Sequence, residues 1–181
     1  MTDQIFGKVQ SDLDPFKKIL SYIPGFSGYV DRQARRDADK ILRDTIANRF
    51  EQLWGRISGL QRDLISSGDI AYVDDLEGAA IKLRTFVDRV RRAPRGYSGL
   101  FDAVQINNEE LNKLYEYDAQ MLTLSDEVGR AIDNVEASIG SEGLPAALRN
   151  LRNLAQSCID IYDRRAEAIF APGAAGQPPV G

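Results

Sequence analysis

Asp118 is the residue of this 181-residue chain whose type and position carry the most chemistry. It falls in the frame set by Leu111, Leu114 and Met121, where a helix seam asks for an apolar side chain, and its near neighbours are Tyr115 and Tyr117. A carboxylate on an inner seam is costly unless it is paired. The partners expected are arginines of an earlier helix, Arg36 or Arg43, and the alternative is an Asp118 rotated into solvent. A buried Arg–Asp pair of this kind sets the register between helices more readily than it catalyses a reaction.

Other chemistries find little support. The chain has no histidine, which removes Ser-His-Asp and Cys-His nucleophile systems, the HExxH zinc motif and the Glu-x-x-His di-iron motif. Its one cysteine, Cys158, lies on an apolar helical stripe with no histidine to serve as base, so a buried structural thiol is expected. Carboxylate pairs occur at Asp74-Asp75, Glu109-Glu110 and Asp126-Glu127. Sequence neighbours point to different sides of a helix, and the first two pairs stand where helix starts attract acids, so no metal is expected. Neither GxxxxGK[ST] nor a strand-borne GxGxxG is present, and no cofactor is expected.

Two arginine-rich stretches remain, Arg32 to Arg43 and Arg84 to Arg95. The first is interleaved with Asp37, Asp39 and Asp44, and Asp39 with Arg43 has the i,i+4 spacing of an internal pair. A sequence pI near 5.0 argues against nucleic acid as a partner.

The elements that would position these residues are helices. Residues 4–23 place Ile5, Phe6, Val9, Leu13, Phe16, Ile19, Leu20 and Ile23 at helical steps, interrupted near Asp14-Pro15, where Asp14 can cap and Pro15 can take the first helical position. This arm has two readings: packing on the bundle, or a membrane or partner-docking foot using Phe6, Phe16, Ile19 and Leu20. The turn Pro24-Gly25-Phe26-Ser27-Gly28-Tyr29 follows, with Asp31 as cap of a long helix from Arg32 to about Ser66. The seam of that helix runs Ala38, Leu42, Ile46, Phe50, Leu53, Ile57, Leu60 and Leu64, and its Gly55-x-x-x-Gly59 marks a close crossing or a soft spot.

A second helix starts at Asp69 or at Asp74, where Asp74 and Glu77 suggest a capping box, and stops at Ala93-Pro94. Gly96-Tyr97-Ser98-Gly99 echoes Gly25-Phe26-Ser27-Gly28, so Phe26, Tyr29, Tyr97 and Phe101 are expected as aromatic plugs forming a partner surface at one end of the bundle. Asn107 opens a third helix reaching about Ile139, and Pro145 opens a fourth lined by Leu144, Leu148, Leu151, Ala155, Cys158, Tyr162 and Ile169.

These patterns predict an all-α protein: an antiparallel four-helix bundle (residues 31–170) with a short amphipathic N-terminal helix and turn (residues 1–30) and a disordered, Gly-, Pro- and Ala-rich tail (residues 171–181). Net charge is −4, yet residues 1–100 carry 17 Lys and Arg against 14 Asp and Glu, while residues 101–181 carry 6 against 13. The halves are therefore expected to attract each other across the bundle. The opening MTDQIFGKVQSDLD does not read as a secretory signal, no stretch reads as a membrane span, and the lone cysteine suits a reducing cytoplasm.

The stretch IPGFSGYVDRQARRDADKILRD, with GYSGLFDAVQINNEELNKLYEYDAQML, resembles a family of uncharacterised bacterial helical proteins. The resemblance covers about Ile23 to Ile169 and leaves out the arm and the tail. It implies no activity. Genes of that family tend to lie near band-7 (SPFH-type) membrane-scaffold proteins and zinc-ribbon proteins, which implies an accessory role at a membrane-associated assembly. The function expected is a non-enzymatic adaptor or structural bundle that binds another protein. Peripheral membrane binding through the arm is the alternative, and an enzyme with a histidine-free site the second alternative. A homo-oligomer also fits the long seam.

Overall fold

The computed structural model describes residues 14–29, 32–92 and 108–170, and side chains within 14–29, 37–92 and 109–168. The expected tail, the caps Asp31 and Asn107, and Phe6, Tyr97 and Phe101 lie outside the described residues, as do the side chains of Arg36 and Ile169. The protein is all-α, with no strand among the described residues. Its helices are α1 (Asp14–Tyr22), α2 (Arg32–Ser67), α3 (Val73–Arg92), α4 (Asn108–Ser138) and α5 (Leu144–Phe170). A 3₁₀ turn, Ile70–Tyr72, precedes α3.

Helices α2 and α3 form one antiparallel hairpin, with Arg91 reaching Glu51 at one end and Gln61 donating to Glu77 nearer the other. The turn closes as the apolar seam ends. Gly68 adopts φ +87°, its N–H donates to Ile65 and the Asp69 N–H to Leu64, the pair of bonds that satisfies the last carbonyls of a helix. The second hairpin, α4 and α5, turns at Gly140, with φ +77°. Asp69 precedes the 3₁₀ turn but does not cap it with its side chain. Instead its carboxylate accepts from the Gly140 N–H at 2.9 Å and from the Ser67 hydroxyl, tying the two turns together. Because α3 begins at Val73, Asp74 lies inside its first turn and not at the cap, so the expected Asp74–Glu77 capping box does not form; Glu77 instead accepts from Gln61 of α2.

The hairpins lie side by side with like-directed helices adjacent. Arg49 meets Ser125 and Arg56 meets Asp133, so α2 runs parallel to α4; Lys82 meets Gln156 and Arg89 meets Asp163, so α3 runs parallel to α5. A continuous core fills the centre, including a Phe50–Phe86 ring pair at 4.6 Å and Phe86 edge-on to Tyr162 at 6.2 Å. Of the two readings of GxxxG, the close crossing is not made by any described helix: among the described residues a Cβ at Gly55 or Gly59 would meet nothing within 4 Å. That side of α2 faces away from the neighbours that its seam packs against.

Helix α1 is docked, with Phe16 and Ile19 buried and Leu20 packed against the core. It lies along the first half of α4, where Phe16 sits edge-on to Tyr115 at 5.5 Å and the Tyr22 hydroxyl donates to Asp126 at 2.6 Å. This explains the irregular front of the α4 seam, because that half of α4 is buried on more than one side. The chain then turns at Pro24-Gly25 and returns to bury Phe26 and Tyr29. The expectation of Phe26 and Tyr29 as a partner surface is therefore corrected: both are core residues, 4% and 0% exposed.

Gly28 allows that return. Its φ is +76°, and a Cβ there would lie 2.8 Å from both the Phe16 ring and the Tyr115 hydroxyl. Gly28→Ala should cost about 2–4 kcal/mol, from strain and forced displacement together. Gly55→Ala and Gly59→Ala should each add roughly 0.5–1 kcal/mol, since both are helical and unobstructed. Urea melts followed by Trp54 fluorescence measure all three; equal effects at positions 28 and 55 would refute the packing described.

Candidate functional site

The charged residues buried in the core gather at one end of the bundle. Asp118 is fully buried on α4, and Arg165 on α5, Asp39 on α2 and Tyr29 in the returning loop are buried with it. The Arg165 Nε donates to Asp118 Oδ1 at 2.6 Å, and its Nη2 donates to Asp39 Oδ1 at 2.9 Å and to the Tyr29 hydroxyl at 3.2 Å. The Tyr29 hydroxyl in turn donates to Asp118 Oδ2 at 2.6 Å. The Tyr29 ring stacks on Tyr115 at 5.0 Å, and the Tyr29 N–H donates to the Tyr115 hydroxyl at 2.7 Å. Arg43 closes the outer edge, donating to Asp39 Oδ2 at 2.8 Å and reaching the Val90 carbonyl of α3 at 3.5 Å.

Two arginines and two aspartates thus balance within the cluster, and each carboxylate accepts charge-assisted bonds. Burial opposes the charge on Arg165, but Asp118 first, then Tyr29 and Asp39, outweigh it and hold the guanidinium well above its ordinary value. Burial lifts the Asp118 carboxyl above its ordinary range, with Arg165 and the Tyr29 phenol pulling the other way. Burial, and then the Asp118 charge, push the Tyr29 phenol well above 10.0, against Arg165. Among the described residues Arg165 Nη1 has no hydrogen-bond partner, a desolvation cost set against three charge-assisted or phenolic bonds from the same side chain.

The expected partner of Asp118 is corrected accordingly. Arg43 pairs with Asp39 and not with Asp118, and the residue that meets Asp118 is Arg165. Its sequence signal was a gap: the fourth seam steps from Tyr162 to Ile169, and Arg165 occupies the intervening inward position. Asp39 had a similar signal, one turn before Leu42 and two before Ile46. Cys158 is completely buried, and burial pushes its thiol far above the usual range, so it is a core residue without thiolate character.

A second polar site flanks α2 and α4. Arg49 donates to Ser125 at 2.8 Å and to Asp126 at 2.7 Å, and its guanidinium lies over the Tyr22 ring at 5.0 Å. Ser125, the other polar residue in the α4 frame, is satisfied by this bond and by its own donation to Leu122. The site opens into a cleft of about 440 Å³ where Arg56 pairs with Asp133. No group of three or more metal-binding side chains occurs among the described residues.

An open groove of about 470 Å³ runs between α1 and α5 with α4 as its floor. Its base is Ala119, Leu124 and Ile161, and its rim carries Asp14, Glu116, Glu127 and Lys18. No family model, curated protein or solved structure matches the chain.

Asp118→Ala should cost about 3–5 kcal/mol, because it strands a buried guanidinium, and Arg165→Met should cost a similar amount. The double variant should cost clearly less than the sum, a coupling read from urea melts; additive losses would mean that the two side chains do not act as a pair. The network also carries a pH signature. The fold holds Tyr29 protonated where an unfolded chain would ionise it, so its contribution is complete below about pH 10 and declines as pH rises further. The melting temperature should fall as pH rises above about 10, and Tyr29→Phe, less stable at neutral pH by about 1–3 kcal/mol, should fall less steeply there.

Proposed function

We propose that the protein is a non-enzymatic helical adaptor that binds another protein, at a membrane-associated assembly of the kind its family resemblance implies. The observation that carries this reading is the division between its two polar and apolar features. The charged cluster is sealed in the core, where it joins α2, α4, α5 and the returning loop, whereas the apolar groove beside α1 stays open to solvent. A sealed ion-pair network suits a rigid scaffold, and an open apolar groove suits recognition of a partner.

Docking of α1 weighs on the membrane alternative. Phe16 and Ile19, two of the residues that a membrane foot would use, are taken up by the bundle. No described helix is long and apolar enough to cross a membrane. A bilayer contact by the arm would therefore fall to the segment before Asp14.

Full-length chain immobilised as bait in an extract of its native host should retain one protein in near-stoichiometric amount, and the purified pair should co-elute. Anionic liposomes separate the alternative. The full chain and a chain starting at Asp14 should both stay in the supernatant; sedimentation of the full chain alone would replace the adaptor with a peripheral membrane protein.

A further inference from the structure

The groove between α1 and α5 has a chemistry of its own. Along α4 it is lined by Glu116, Ala119, Thr123 and Glu127, a stripe at steps of three and four that spans about 17 Å, or three helical turns. Between the two glutamates the groove is apolar, its base formed by Ala119 and the adjacent Leu124 of α4 and by Ile161 of α5. The hydroxyl of Thr123 donates to the Ala119 carbonyl at 2.9 Å.

The rim is acidic. Asp14, Glu116 and Glu127 stand around the groove against one cation, Lys18, whose ammonium lies 5.9 Å from the centre of the Tyr22 ring. Among the described residues none of these three carboxylates forms an ion pair. Along the helix seams acids meet arginines, as Asp126 with Arg49, Asp133 with Arg56, Asp163 with Arg89 and Glu51 with Arg91, whereas among the described residues no arginine reaches this rim. Unmatched acids thus flank the apolar groove, a pattern that attracts a cationic, partly apolar occupant and repels an acidic one.

We propose that this groove receives a cationic amphipathic helix of a partner protein, about three turns long, with its apolar face on Ala119, Leu124 and Ile161 and its lysines or arginines on Glu116, Glu127 and Asp14. The proposal rests on the adaptor reading and names the chemistry of its partner. Helix-in-groove recognition of this type uses anchors at i, i+3/i+4 and i+7, which the length of the α4 stripe accommodates. The chain's own segment before Asp14 is the competing occupant. It carries Asp3 and Asp12 against Lys8, so its charge does not complement the rim.

The test uses the full chain and a fluorescein-labelled 14-residue helical peptide of leucine on one face and lysine on the other, read by anisotropy. Saturable binding is expected, at least tenfold weaker for Glu116→Gln/Glu127→Gln and for Ile161→Arg, with both variants checked for native unfolding by Trp54 fluorescence. The same peptide with glutamate for lysine should bind at least tenfold more weakly than the lysine peptide. Equal affinity of the two peptides, equal affinity of the glutamine variant, or no binding at about 1 mM peptide overturns the proposal. A chain starting at Asp14 should bind within twofold of the full chain. A tenfold gain would show that the segment before Asp14 fills the groove, and would overturn it as well. Failure here alongside a co-eluting host partner would move the adaptor's contact to another surface, whereas loss of that partner would remove the adaptor reading itself.

Discussion

The buried guanidinium of Arg165 is the group around which the rest of the molecule must arrange itself. A charge with 1% of its side chain exposed is tolerable only where opposite charges meet it at bonding distance, and Asp118 and Asp39 do so from two other helices. Tyr29 brings in a third segment, and Arg43 extends the cluster to the Val90 carbonyl of α3. One network therefore touches every helix of the bundle and the loop from α1. An apolar seam alone tolerates sliding by a turn. Moving α2, α4 or α5 by a turn would strand a buried ion, so the network fixes the register of those three helices.

The opposite end is held by a lighter device. The Asp69 carboxylate bonds the Gly140 N–H, so the turn of one hairpin grips the turn of the other. With both ends tied, the hairpins lie with α2 parallel to α4 and α3 parallel to α5, and facing surface charges pair along both seams, as in Arg56 with Asp133 and Arg89 with Asp163. Such exposed pairs contribute little each, about 0–1 kcal/mol, and act chiefly on alignment. Helix α1 adds an outer layer over α4, and by covering only part of that surface it creates the groove whose acids remain unmatched.

Much of the architecture was readable from the chain. The all-α class, the end of α2 at Ser67 where about Ser66 was expected, and the succession of α3, α4 and α5 follow from seams at steps of three and four and from glycine and proline punctuation. Asp118 was legible as a polar intruder because it broke an apolar frame. Its partner was not. Arginine is abundant, with Arg36, Arg43 and Arg165 all plausible by charge, and periodicity along one helix says nothing about which neighbouring helix faces it.

The fates of the aromatic turn and the glycine pair show the same division. Phe26 and Tyr29 look like surface plugs in a Gly-rich turn, yet the loop folds back along α1 and buries them, an outcome set by the space between Phe16 and Tyr115. Gly55 and Gly59 suggest a crossing that none of the described helices makes. Local pattern by itself determined which residues are helical and which face of each helix is apolar, because those properties depend on contacts within a few residues. Only the tertiary structure decided that Arg165 is the partner of Asp118, because ion pairing depends on which faces meet at separations of 47 to 126 residues along the chain.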